Sequence, residues 1–213
     1  MATGRPSYRN VLNASSNLNH LAHLVLAGPS EGLRLGAFLG DHIKGRVALR
    51  ELPETWAEGV QLHRWIDRSC DQHPSVRSLT SLWDGPWRRY GPIILDVLFD
   101  TMLTRHWNQF GPLPLKEFAH NIDRLLSAHW THLPNRLKRF ARWAQANSLW
   151  TRYDDRRMLQ LIFDGIQRRH GRPSPLSDGL SRLDGWESEI EATFFDVFQD
   201  LRREIAAEPR QPG

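Results

Sequence analysis

A single cysteine, Cys70, stands in this chain of 213 residues, which excludes an internal disulfide framework and any paired-cysteine metal or redox motif. No apolar run approaches the roughly 20 residues that a bilayer span requires. The segment Met1 to Asn17, with Gly4, Pro6, Ser7, Ser15 and Ser16, lacks the apolar centre of a secretory signal. A soluble, cytoplasmic protein is therefore expected, with residues 1–17 as a polar extension and 207–213 as a short tail. Strand signals are missing too, because no β-branched run with alternating polarity is bounded by turn residues. Nor does the chain contain a glycine-rich phosphate loop, a GxSxG nucleophile elbow, an HExxH pair, an internal repeat or a low-complexity tract.

What the chain does have is apolar residues at helical spacing along most of its length, and at 40% hydrophobic content it can bury a full core as one domain. The expected fold is all-α, a single compact helical bundle over residues 18–206. Helices are predicted at 17–27, 30–45, 53–71, 75–84, 91–109, 114–131, 134–146, 154–169 and 178–206. Ser30 is a plausible N-cap and Pro53 suits a first turn. Gly85-Pro86, Gly111-Pro112, Pro134 and Pro173-Ser174-Pro175 read as short connections.

Charge is unevenly spread. Residues 121–175 hold eleven Lys/Arg against four Asp/Glu, and residues 176–208 hold three against nine. Such asymmetry suits a basic surface that steers an acidic partner, or else two neighbouring helices of opposite sign that face each other.

The most informative stretch runs from Gly91 to Trp107, where Asp96 and Asp100 sit four residues apart in an otherwise apolar helical run. Ionised carboxylates buried without a counter-charge cost several kcal/mol, so a compensating cation is expected. His63 and Asp67 repeat the i, i+4 spacing and project from one helix face. Two helices that each present such a pair can converge on a divalent metal. Asp41, just after Gly40, and His23, within Leu21 to Leu26, are further candidate ligands. Read as structure instead, His23 is a hydrogen-bonded core residue, His63 and Asp67 an ordinary helical pair, and Arg64, Arg68 or Arg105 the partner of an aspartate. Imidazole mixed with carboxylate suits Mn²⁺, Fe²⁺ or Mg²⁺ better than structural zinc. The residues alone thus reach a hydrolytic metal site. Most of the nine tryptophans, among them Trp56, Trp65, Trp83, Trp107, Trp143 and Trp186, are expected as core or helix-packing residues. His73, His120, His129, His132 and His170 are expected at the surface, and Cys70 has no catalytic motif around it.

At these residues the chain resembles the acyl carrier protein phosphodiesterases, also called acyl carrier protein hydrolases, from about Asn19 to Ile205. The carrying motifs are Asn19-His20-Leu21-Ala22-His23-Leu24, Gly36-Ala37-Phe38-Leu39-Gly40-Asp41-His42-Ile43-Lys44-Gly45 and His63-Arg64-Trp65-Ile66-Asp67. Pro92 to Asp100, Arg105-His106-Trp107, Arg152-Tyr153 and Arg168-Arg169 follow in order. The resemblance implies an all-helical relative of the HD-type phosphohydrolases that uses a divalent cation, typically Mn²⁺, with Mg²⁺, Fe²⁺ or Co²⁺ as alternatives. The implied reaction hydrolyses the phosphodiester between 4′-phosphopantetheine and a carrier-protein serine. The matching motif positions are His23, Asp41, His63, Asp67, Asp96, Asp100 and His106. His20 stands where the family more often has an aromatic residue, so either His20 or His23 faces the metal. The order Asp41-His42 reverses the His-Asp dipeptide of the HD type.

In the mechanism this implies, some of His23, Asp41, His63, Asp67, Asp96 and Asp100 hold the metal. Lys44 or Arg46 offsets phosphoryl charge, and His106 is a candidate acid for the departing serine oxygen. Arg136, Lys138, Arg139 and Arg142, or Arg168 and Arg169, are candidate contacts for an acidic carrier protein. A competing enzyme reading gives the same metal a nucleotide or other small phosphoester. A non-enzymatic reading makes the protein a basic helical adaptor, but no DNA-reading motif anchors one, and neither nucleic acid nor membrane is expected as a partner.

Overall fold

The computed structural model of the chain describes residues 20–207, the side chain of Arg46 excepted, and every regular element among them is helical. The predicted extension and the tail beyond Ala207 lie outside the described residues. The helices are α1 (His20–Leu26), α2 (Glu31–Leu39), α3 (Gly45–Arg50), α4 (Glu54–Gln72), α5 (Pro74–Leu82) and α6 (Gly85–Arg105). They continue with α7 (Trp107–Phe110), α8 (Leu115–Ala128), α9 (Asn135–Ala146), α10 (Arg156–His170) and α11 (Leu180–Ala207). Short 3₁₀ turns at Trp130–His132, Leu149–Thr151 and Pro175–Asp178 link the later helices. One buried apolar cluster runs from Leu21 in α1 to Leu201 in α11.

Local chemistry explains most of the boundaries. Ser30 caps α2 as expected, its side chain accepting from Leu33 N at 3.3 Å. Asp155 caps α10 through Arg157 N and Met158 N, and Gly171, at φ 68°, closes that helix. Two expectations need correction. The helix expected over 30–45 ends at Leu39, and the separate α3 follows. The helix expected to begin at Gly91 begins at Gly85, with Pro86 in its first turn and Pro92 inside it. Gly91 is drawn into that helix because it packs closely on α5, where an added Cβ would lie 2.7 Å from Thr80 Cγ2.

The site is positioned by an unusually close pair of helices. A Cβ on Gly36 of α2 would fall 2.1 Å from Trp56 O, and one on Gly59 of α4 would fall 2.3 Å from Leu33 O. The two backbones can approach this far only because both positions lack a side chain. One turn beyond Gly36, Gly40 lies against the His63 ring, with which a Cβ would clash at 2.2 Å. The approach seats His63 of α4 beside the turn that carries Asp41.

The tryptophans divide. Trp83 and Trp107 are buried, whereas Trp56, Trp65, Trp143 and Trp186 are half-buried and pack against the edge of the core. Of the histidines expected at the surface, His120 and His132 are exposed. His73, His129 and His170 are half-buried, because His73 Nδ1 accepts from Ser75 N, the His129 ring packs edge-on to Trp56, and His170 Nε2 meets the Tyr90 hydroxyl at 2.9 Å.

Candidate metal centre and the adjoining cleft

His23 of α1 and His63 of α4 stack with ring centroids 4.1 Å apart, and both are almost fully buried. Asp67, one turn after His63, reaches both rings, with Oδ1 3.1 Å from His23 Nε2 and Oδ2 3.3 Å from His63 Nε2. Asp41 Oδ1 stands 3.3 Å from the same His63 nitrogen. The buried ring nitrogens of His23 and His63 complete no hydrogen bond of normal geometry. Ligand atoms of His23, His63 and Asp67 all lie within 4.8 Å of one another. Donors about 2.0–2.2 Å from a divalent ion are themselves about 3–4 Å apart, so two imidazoles and a carboxylate here fit such an ion.

Electrostatics supports the same fit. Burial opposes charge on His63, but its contacts with Asp41 and Asp67 outweigh burial and raise its pKa to about 10. Burial and the nearby His63 lower the pKa of His23, leaving a neutral imidazole. Asp67 is held below the usual carboxylate range because its contacts with the two histidines overcome burial. Asp96 faces His23, Asp67 and Cys70 around a cavity of about 20 Å³. It makes no ion pair among the described residues, and burial plus its acidic neighbours Asp71 and Asp67 push its pKa well above the usual range. Asp71 is raised to about 6 by burial and Asp67. A crowd of carboxylates offset by one imidazolium is the environment that a divalent cation relieves.

The remaining predicted site residues are placed differently. Asp100 is fully buried, but its carboxylate oxygens accept from Leu21 N at 3.1 Å and Ala22 N at 2.9 Å, and Tyr153 donates to it. Burial still outweighs these bonds and raises the Asp100 pKa to about 7, and the partners it has among the described residues are the opening N–H groups of α1 and Tyr153. The His20 ring packs 4.7 Å from that of Phe38 and 4.9 Å from that of Phe140, within reach of the Asp41 charge. His23 is the histidine of α1 in direct contact with a carboxylate. His106 meets Glu191 Oε1 at 2.5 Å at the far end of α6. Lys44 is exposed at the start of α3, and the side chain of Arg46 lies outside the described residues. Cys70 is buried, and burial and Asp96 raise its thiol well above the ordinary range, as suits a structural thiol.

Beside the cluster, α9 and α10 enclose a cleft of about 660 Å³. His42, the neighbour of Asp41, lines one part of it, and Arg136, Arg139, Arg168 and Arg169 bring four guanidinium groups to the same space. These arginines make no ion pair among the described residues. Burial and the charges of Arg136 and Arg168 lower Arg169 to about 10, so it stays protonated at neutral pH. Of the other two predicted docking residues, Lys138 reaches Thr131 O at 3.5 Å and Arg142 lies 4.9 Å over the Trp130 ring.

The sequence profile described as acyl carrier protein phosphodiesterase matches residues 18–201. The chain belongs to that family. It is 33% identical over 195 residues to a protein of Escherichia coli O6:H1 named acyl carrier protein phosphodiesterase, covering 89% of this chain and 98% of that one. A Salmonella heidelberg protein of the same name is 30% identical over 190 residues, covering 89% of this chain and 98% of the relative. No solved structure matches the chain. The matched span of the phosphodiesterase profile takes in α1, α4, the metal candidate and the whole arginine cleft. Among the described residues, no helix is long and apolar enough to cross a membrane.

Gly165 in the cleft was not singled out from the sequence, although a glycine inside an amphipathic helix, where it weakens the helix relative to alanine, is a usable signal. His42 and Tyr153 stand in the family motifs, but their places, His42 in the cleft and Tyr153 against Asp100, are set only by the tertiary fold.

Proposed function

We propose that this protein is a divalent-metal-dependent, cytoplasmic phosphodiesterase that removes 4′-phosphopantetheine from holo acyl carrier protein. The observation that carries the reading is the buried His23–His63–Asp67 cluster beside Asp41, whose chain neighbour His42 lines a cleft with four arginines that have no acidic partner among the described residues. Family membership supplies the substrate class, since the relatives bear the name acyl carrier protein phosphodiesterase.

His23, His63 and Asp67 hold the metal, with Asp41 flanking it through His63 and Asp96 close by. Mn²⁺ fits this mixed donor set, as do Mg²⁺, Fe²⁺ and Co²⁺. Such a cation supplies Lewis acidity, acidifying water toward hydroxide near neutral pH and drawing charge from phosphoryl oxygens. Asp41 and Asp67, both 3.3 Å from His63 Nε2, favour a proton there that the nitrogen would have to lose to serve as a ligand. Arg136, close enough to influence His42, brings positive charge to the side from which the phosphodiester enters. Arg139, Arg168 and Arg169 meet the acidic face of the carrier protein. The buried site also suits a small phosphoester, the second reading, and the test separates the two.

Purified protein is incubated with holo acyl carrier protein and Mn²⁺, with and without chelator, and the carrier protein is weighed intact. Metal-dependent loss of the phosphopantetheine mass is expected, and His63→Ala should abolish it together with the Mn²⁺-induced rise in Tm. Metal binding without mass loss would favour a small phosphoester as substrate. Absence of metal binding would overturn the site and return the basic adaptor.

A further inference from the structure

Gly165 sits in the middle of α10 and lines the cleft. Unlike Gly36 and Gly59, it has no packing reason to lack a side chain, since an added Cβ would meet only Arg168 Nη2, at 3.8 Å. A helix-interior glycine weakens its helix, and here the space above it is left open. Facing that space are Leu137, Phe140, Trp143, Leu161 and Ile162, and Leu161 is 48% exposed for a large apolar residue. The cleft thus has an apolar floor, guanidinium donors at its rim, an inner end at His42 beside the metal candidate, and a volume within the roughly 300–1,000 Å³ of small-molecule sites.

We propose that this cleft is the binding site for the pantetheine arm of the substrate, kept open by Gly165. The inference rests on the phosphodiesterase reading and adds to it where the arm lies. The chemistry matches along the arm. Its gem-dimethyl group and methylenes suit the aliphatic and aromatic floor, its two amide carbonyls accept from guanidinium N–H groups, and its phosphate end points to His42 and the metal. The acidic carrier protein then covers the arginine rim from outside, so one cleft reads both the arm and its protein.

Pantetheine itself, which carries the arm without phosphate or protein, is the probe. Saturation-transfer NMR on the full chain is expected to show contact with pantetheine for the wild type and for Gly165→Ala. Gly165→Leu, which puts a bulky side chain into the cleft and strengthens the helix, should lose that contact and keep its Tm. The same variant should lower kcat/KM for holo acyl carrier protein at least tenfold. If the wild type strips the carrier protein but shows no pantetheine contact, or if Gly165→Leu keeps both contact and turnover, the arm lies elsewhere and only this inference falls. If the wild type strips no carrier protein, the functional reading falls and takes the inference with it.

Discussion

His20 and His23 share one face of α1 and are both buried, yet their environments differ. His23 meets a carboxylate, whereas His20 lies between two phenylalanines, and burial lowers its pKa to about 3. The unfolded chain takes up a proton at His20 near pH 6.5 that the folded chain refuses until about pH 3. Stability therefore rises with pH through that window and is complete above it. Between pH 7 and pH 5 this one group removes about 2 kcal/mol at most. His20→Phe, which suits the aromatic surroundings, should flatten the fall of urea-unfolding stability between those pH values. An unchanged slope would show that His20 does not drive acid sensitivity. Sequence left the two histidines open for a physical reason: helical spacing gives residues three apart the same face, and only their tertiary partners distinguish them.

At the scale of the element, α1 owes its start to distant residues. Its first three N–H groups, at His20, Leu21 and Ala22, are met by the Tyr153 hydroxyl and the two Asp100 oxygens. Asp100→Ala strips two buried donors of their acceptor, each worth about 1–3 kcal/mol, and should lower Tm markedly. The folded fraction should still show a Mn²⁺-induced rise in Tm, whereas a role as metal ligand predicts that this rise disappears. Helix periodicity made the main elements legible, and capping chemistry at Ser30 fixed one boundary well. The start of α6 was misread, since Gly91-Pro92 looks like a break and nothing local reveals that α5 packs against it. For the same reason the two aspartates of α6 looked alike in sequence, although one faces carboxylates and the other faces backbone N–H groups.

Across the whole molecule, the charge asymmetry seen in the sequence is met partly within the fold. The basic and acidic segments meet at Arg156 and Asp184, whose paired contacts are 2.6 and 2.9 Å long. The cleft arginines make no such pair among the described residues, and under the proposed function they meet the carrier protein. Arg139→Glu with Arg168→Glu should raise KM for the carrier protein about tenfold and weaken its dependence on salt, because the steering charge is reversed. An unchanged KM would place the docking face elsewhere. The arrangement at the start of α1 also has a bearing on biosynthesis. His23, close to the beginning of the chain, is held in place by acceptors that arrive much later, the last of them Tyr153. A nascent chain that has not yet extended past Tyr153 lacks acceptors that hold His23 against His63 and Asp67, so the cluster closes only after the chain has been made through Tyr153.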